Sequence, residues 1–269
     1  MYRIGELARR TGTSVDLLRA WERRYGLLRP ERTAGGFRLY GEEDAARVER
    51  MRTGLSHGLA AAEAARAALV PLERSEELLP ALLAFDGERA NDLLDKLFSR
   101  LSVEGVLRET IQPVLREIGD GWARGEVSVA QEHFAAHLLR GRLLALASRW
   151  GQGVGPLALL ACAPGDLHDL PLVVFGLALR ERGWRILFLG ADTPLQVVAS
   201  TAAAERPELV VLASSRLREP APVEELAAIA AGSRLALAGR WPMVDVPALR
   251  LEGDAVDLAA SLDATVIRA

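Results

Sequence analysis

The chain has 269 residues, room for two or three domains at roughly 150 residues each, and its 50% hydrophobic and 26% charged content excludes a mostly disordered polypeptide. Its single cysteine, Cys162, excludes a disulfide framework and any multi-cysteine zinc or iron–sulfur site within the chain. No apolar run reaches the roughly 18 residues of a membrane span, and Met1-Tyr2-Arg3 does not open a secretory signal, so a soluble cytoplasmic protein is expected. The net charge of −3 is unevenly spread: residues 1–70 carry 13 Arg against 9 Asp/Glu, a net of +4, and the remainder is net −7. A basic head on an acidic body points to a polyanion as the partner of the head.

The head reads as helix, tight turn, helix and glycine-rich hairpin. Ile4, Leu7 and Ala8 have helical spacing, and Thr11-Gly12-Thr13-Ser14 is turn chemistry. Ser14 can cap a helix carrying Leu17, Leu18 and Trp21 on one side, with Trp21 in the core; Gly26 ends it and Pro30 forbids its continuation. Ala34-Gly35-Gly36-Phe37 predicts a hairpin tip. Asp44 to Arg52 predicts another helix, Gly54 to Gly58 a break, and an alanine-rich helix follows until Pro71. From Glu73 to Trp150 the pattern is helical, with Leu78, Leu82 and Phe85, then Leu93, Leu94 and Leu97, then Ile111, Leu115 and Ile118, then Phe134, Leu138 and Leu139. Four helices predict a small bundle, with the glycines from Gly119 to Gly125 interrupting regular helix around Trp122.

Gly151 to Pro156 reads as a joint. Beyond it, Leu157–Cys162, Arg185–Leu189, Leu209–Leu212 and Leu235–Ala238 are apolar runs separated by helical stretches, as in a parallel sheet flanked by helices. Such sheets bind ligands at the carboxyl ends of their strands. The expected architecture is a winged helix-turn-helix head over 1–70, a four-helix bundle over 73–150 and an open parallel α/β, Rossmann-like domain over 156–269.

A helix entering a major groove needs small or polar residues at its amino end, which Thr13, Ser14 and Asp16 supply, and arginines for flanking phosphates, which Arg19 and Arg23 supply. A wing would set Arg38 against the backbone or in the minor groove; Tyr25, Phe37 and Tyr40 complete the candidate DNA-contacting set. The bland alternative is an arginine-rich solvated surface. Of the four histidines, His57 reads as a loop residue without a role. His133 and His137 are one helical turn apart, a spacing that suits either a metal pair or ordinary hydrogen-bonded helix residues. His168 follows the first strand of the α/β segment, where Asp166 can fix one imidazole nitrogen and leave the other for a metal. An ordinary surface pair is the competing reading.

The run from Leu18 to Pro30 and the run from Arg32 to Tyr40 resemble the MerR family of winged-helix transcription regulators over residues 1–70. Most members dimerise through a long coiled coil after the head; no sustained heptad run follows here, which assigns pairing and effector reading to the later domains. Residues 157–269 resemble the cobalamin-binding domain, whose signature is Asp-x-His-x-x-Gly followed by Ser-x-Leu and Gly-Gly. Asp166-Leu167-His168 and Ser215-Arg216-Leu217 match, whereas Pro171 replaces the first glycine and Ala238-Gly239 the glycine pair.

Trp122 and Glu132-His133 in the helical segment are similar to the CarH/LitR type of light-responsive repressor. This resemblance implies adenosylcobalamin as cofactor, His168 as the lower axial ligand to cobalt, Trp122, Glu132 and His133 as a cap on the upper face, and Asp166, Ser215, Leu217 and Gly239 as further cofactor contacts. It implies operator DNA as partner and a homo-oligomer, dimer or tetramer, that forms in the dark and separates in light. Ala123 stands where members of the type carry a histidine able to reach cobalt after illumination. Three alternatives remain at this point: a DNA-binding regulator whose cobalamin fold has lost its cofactor, a corrinoid methyl carrier or mutase subunit, and a metal sensor.

Overall fold

A computed structural model describes residues 1–33, 35–56, 59–69, 75–215, 223–243 and 245–262. The readings placed on Ala34, His57, Gly58, Pro71, Glu73, Arg216 and Leu217 lie outside the described residues. Contacts divide the chain into two compact units, Met1–Ala81 with Asp86–Thr110, and Leu82–Phe85 with Ile111–Ala269. No described helix is long and apolar enough to cross a membrane.

In the first unit, α1 (Ile4–Thr11) and α2 (Val15–Tyr25) are joined by a turn whose Ser14 hydroxyl accepts from the Leu17 N–H at 3.3 Å, and Gly26 closes α2. The hairpin follows as β1 (Glu31–Arg32) and β2 (Arg38–Leu39), antiparallel, with Arg32 opposite Arg38. Helices α3 (Glu42–Ser56) and α4 (Ala61–Leu69) complete the head. Leu7, Leu18, Trp21, Val48 and Met51 form its core, each large apolar side chain contributing roughly 1.5–3 kcal/mol on burial. The break expected from Gly54 is corrected: α3 runs through it to Ser56. Helices α5 (Ser75–Leu83), α6 (Gly87–Arg100) and α7 (Val103–Val106) follow, and a π turn over Leu107–Ile111 carries the chain onward.

The second unit takes up the chain in α8 (Gln112–Ala123), α9 (Val129–Leu146) and a short 3₁₀ turn, Ala147–Arg149. Here too a glycine reading is corrected. Helix α8 continues through Gly119 and Gly121, so Trp122 lies in its last turn. A Cβ at Gly121 would stand 2.7 Å from Val127 Cγ2, so the missing side chain is what lets the connection to α9 fold back onto the helix.

The remainder alternates as expected: β3 (Leu157–Cys162), α10 (Leu170–Glu181), β4 (Arg185–Gly190), α11 (Leu195–Glu205), β5 (Leu209–Ser214), α12 (Val223–Gly232), β6 (Arg234–Gly239), then β7 (Leu249–Leu251) and α13 (Ala255–Ser261). The sheet is parallel throughout, with strand order β4-β3-β5-β6-β7. Leu159, Val210, Leu212, Leu235 and Leu237 bury one face against Leu195, Val198, Leu226 and Ile229 of α11 and α12. Helix α10 is apolar on all sides and buried from Leu172 to Leu179. The sequence reading missed β7, a fifth strand. The Gly151–Pro156 joint lies inside this unit, where the Arg185 N–H donates to Pro156 O at 2.8 Å. The chain passes from β3 outward to β4 and returns to the other side of β3 as β5. Strand order therefore reverses between β3 and β5, and the crevice for a ligand opens at their carboxyl ends.

Candidate functional site

Asp166 and His168 follow β3, and Ser215 follows β5, so both sides of the switch point contribute. The Asp166 carboxylate is 3% exposed. It accepts from the His168 N–H at 2.9 Å, from His168 Nδ1 at 2.9 Å, from the Ser215 hydroxyl at 3.1 Å and, in a short contact, from the Ser215 N–H. Burial works against that charge, yet the donors from Ser215 and His168 outweigh it and hold the Asp166 pKa below its ordinary value. An ionised carboxylate only accepts, so in the neutral ring the tautomer this contact selects has the proton of His168 on Nδ1 and the lone pair on Nε2. The His168 side chain is 65% exposed, and among the described residues Nε2 has no hydrogen-bond partner. The group is thus a fixed, outward-facing nitrogen donor.

The loop around it is braced from the neighbouring strand ends. Gly165 N–H donates to Asp192 Oδ1 at 2.7 Å, and the Asp192 N–H to Asp166 O at 2.8 Å. Asp192 itself takes a positive φ of 46° to do so, an uncommon conformation for a residue with a Cβ. Arg140 of α9 donates from Nε and Nη2 to both oxygens of Asp169, at 2.7–3.0 Å. Sequence reasoning missed Arg140, Asp169 and Asp192 because their partners are distant in the chain. Ser215 was legible as half of a family motif, not as the hydroxyl that completes the Asp166–His168 pair.

The second cluster sits at the turn between α8 and α9. Glu126 and Val127 donate their N–H groups to Gly121 O at 2.8 and 3.1 Å, and Ser128 and Gln131 form a reciprocal cap on α9. This short connection holds Trp122, 46% exposed, in the last turn of α8, with Glu132 and His133 in the first turn of α9. His133 Nε2 lies 3.5 Å from Glu132 Oε2. His137 Nδ1 contacts the His133 carbonyl at 3.0 Å instead of facing its imidazole, and no group of three or more His, Cys, Asp or Glu able to hold a metal exists among the described residues. Cys162 is buried and its thiol is pushed up to about 12 by burial, with Asp166 and Asp169 adding to it. It stays a neutral thiol.

The residues present fit a corrinoid. The nitrogen donor has its tautomer set and its far side open, and Ser214 Oγ, at the end of β5, is a buried polar atom without a hydrogen-bond partner among the described residues. Pro171 occupies the first turn of α10, where no N–H is needed, so this departure costs the loop nothing. Ala238 is half-buried, its carbonyl accepting from Trp241 Nε1 at 3.1 Å. Gly239 has φ 82°, and a Cβ there would fall on the Ser214 carbonyl oxygen, so the glycine is what allows β5 and β6 to close at the crevice.

In the head, Ser14, Asp16, Arg19, Arg23, Phe37 and Arg38 are exposed and Tyr25 is half-buried. Thr13 and Tyr40 are corrections to the sequence reading. Thr13 is 6% exposed and its hydroxyl donates to Thr11 O at 3.2 Å; Tyr40 is 1% exposed and its hydroxyl donates to Glu22 Oε2 at 2.8 Å. Both side chains build the head instead of offering surface to DNA. Trp21 is in the core, 4% exposed.

The fold defines a class of architecture: a winged helix-turn-helix head followed by helices and an open parallel α/β domain. Residues 2–69 match the model of the MerR HTH family regulatory protein, and residues 74–147 that of the B12 binding domain. Over 83% of its length the chain is 32% identical to the HTH-type transcriptional repressor CarH of Myxococcus xanthus, covering 82% of that protein. It is 35% identical to the HTH-type transcriptional repressor CarA of the same organism, with 84% of this chain and 80% of that one covered. Among solved structures, the Methanosarcina barkeri monomethylamine corrinoid protein shares its fold, with a TM-score of 0.57 at 16% identity over 69% of this chain and 94% of that chain. The chain belongs to the CarH and CarA family of MerR-type transcription regulators that carry a B12-binding domain.

Proposed function

We propose that this chain is a light-responsive repressor that binds operator DNA as an adenosylcobalamin-stabilised oligomer. The observation that carries the reading is the Asp166–His168–Ser215 cluster at the β3/β5 switch point, which presents a tautomer-fixed Nε2 with no partner among the described residues. His168 would hold the cobalt through Nε2. Asp166 and Ser215 hold its ring, and Gly239 lies at the strand end beside Ser214; Leu217 is assigned to the cofactor from the family motif alone. Trp122, Glu132 and His133 form the cap. The cofactor, when bound, supplies a cobalt–carbon bond that light breaks.

The cap residues act by position. With Trp122 held in one pose, the helices around it present a self-association surface, and several heads then engage DNA together. When that pose is lost in light, the oligomer separates. A single head makes too few phosphate contacts to stay bound at cellular salt. Residues 1–70 serve as the DNA-binding domain, 73–150 as the capping helices and 156–269 as the cofactor domain. With Ala123 in place of a histidine, this position offers cobalt no replacement ligand after illumination.

The test is an operator gel shift with adenosylcobalamin before and after green illumination. The reading predicts a shift in darkness that disappears in light; identical shifts overturn the light switch.

A further inference from the structure

Helix α2, the hairpin and Tyr40 enclose a groove of about 630 Å³ on the first unit, lined by Arg3, Arg19, Arg23 and Arg38 and by a single carboxylate, Glu22. On a surface meant for a polyanion that acid is out of place. By charge alone it repels phosphate, and its removal should raise affinity.

Its contacts say otherwise. Glu22 opens the last turn of α2 with its side chain 19% exposed. One oxygen, Oε2, accepts from the Tyr40 hydroxyl at 2.8 Å, and the other, Oε1, takes Arg38 Nε at 3.2 Å. Tyr40 is a fixed point: it is buried, and its backbone pairs with Tyr2 through N–H···O bonds of 2.7 and 2.9 Å. Arg38 is the opposite, 53% exposed on a two-residue strand of a short hairpin. Nothing in such a hairpin fixes an arginine by itself, since the strand is too short to stand alone and a free Arg side chain loses rotamer entropy on being ordered.

We propose that Glu22 is a positioning residue for DNA binding: it ties the wing arginine, Arg38, to the buried Tyr40 and so to the frame of α2. Engaging Arg38 through Nε leaves the Nη groups for a phosphate oxygen. The carboxylate lowers the local positive charge, and in exchange the wing guanidinium is held in place before DNA arrives. The proposal rests on the DNA-binding reading of the head.

The test measures anisotropy of a labelled duplex that the wild-type protein has selected from a random-sequence pool, across a salt series. Glu22→Gln is expected to bind about three- to tenfold more weakly although a negative charge has gone. In an Arg38→Ala background the same change is expected to be neutral or to tighten binding, because only repulsion remains to be removed. Arg38→Lys, which keeps the charge but not the forked donor set, is expected to lose most of what Arg38→Ala loses. Thermal melts of each variant identify any that does not fold; should Glu22→Gln be one, the Lys and Ala variants at the exposed position 38 decide. If Glu22→Gln binds as well as or better than wild type, or weakens binding equally with and without Arg38, the positioning role is overturned while DNA binding stands. A wild-type protein that selects no duplex overturns both.

Discussion

Arg140 and Asp169 join helix α9 to the loop that carries His168. The guanidinium spans both carboxylate oxygens, and the Asp169 side chain is only 4% exposed. Two elements 29 residues apart are thereby fastened next to the candidate cobalt ligand: the helix whose first turn carries Glu132 and His133, and the loop after β3. The pairing keeps the Arg140 pKa above its ordinary value, chiefly through the hydrogen bonds.

Because the carboxylate is buried and the guanidinium half exposed, removing the arginine alone strands a charge. Arg140→Leu is expected to lower the stability of the cofactor-free protein by about 2–3 kcal/mol. Arg140→Leu with Asp169→Leu should recover part of that loss, since no unpaired charge remains. Urea denaturation of the two variants beside wild type measures the difference; equal losses would mean that the pair is not coupled.

His168 and Ser215 separate ligation from orientation. His168→Ala is expected to abolish the spectral signature of nitrogen ligation to cobalt. Ser215→Ala keeps the ligand but loses a hydroxyl that holds Asp166, and is expected to weaken cofactor binding by roughly 10-fold. Titration of adenosylcobalamin by visible absorbance in darkness reads both.

Gly239, which keeps the family's glycine, and Pro171, which departs from it, respond differently to substitution. Gly239→Ala places a methyl on the Ser214 carbonyl at a positive φ, and is expected to cost about 1–3 kcal/mol and to disturb the ends of β5 and β6. Pro171→Gly relaxes a first helical turn that already tolerates proline, and is expected to cost only about 0.5–1 kcal/mol without strengthening cofactor binding. Melting temperatures and cofactor titrations of both variants test this contrast.

In the first unit, Glu109 lies 3.7 Å from Arg50, whose side chain is 5% exposed. Burial raises the Glu109 pKa; Arg50 lowers it, and Glu43 and Glu49 raise it again, for a net upward shift. A carboxyl raised on folding stabilises fully below its unfolded pKa, and that contribution is lost as pH rises through the folded value. Wild type should therefore lose stability just above the ordinary carboxylate range, and Glu109→Gln should flatten that part of the curve. Denaturation midpoints across mildly acidic to neutral pH check the sign.

Much of this architecture could be read in the chain itself, for physical reasons. Buried strands such as Leu157–Cys162 are uninterrupted apolar runs, and Ser14 and Gly26 bracket α2 with caps whose chemistry is local. What escaped was decided by tertiary contact. Strand β7 is three residues long with Arg250 at its centre, too short for periodicity. Gly54 and Gly121 looked like breakers, yet each lies in a helix that another segment approaches closely. Tyr40 shares a run with Arg38, and only the packing of the head sends one to the core and the other to the surface. The candidate site divides the same way: Asp166 and His168 are two residues apart and legible together, whereas Ser215, Asp192 and Arg140 reach them across the fold.

The central claim is that occupancy of the cofactor site sets how many copies of the chain assemble. Light scattering coupled to size exclusion, run on the full-length protein without cofactor, with adenosylcobalamin in darkness, and after green illumination of that sample, measures it directly. The account predicts a small species, then a larger one of defined stoichiometry, then a return to the small species. One unchanging mass under all three conditions would contradict it.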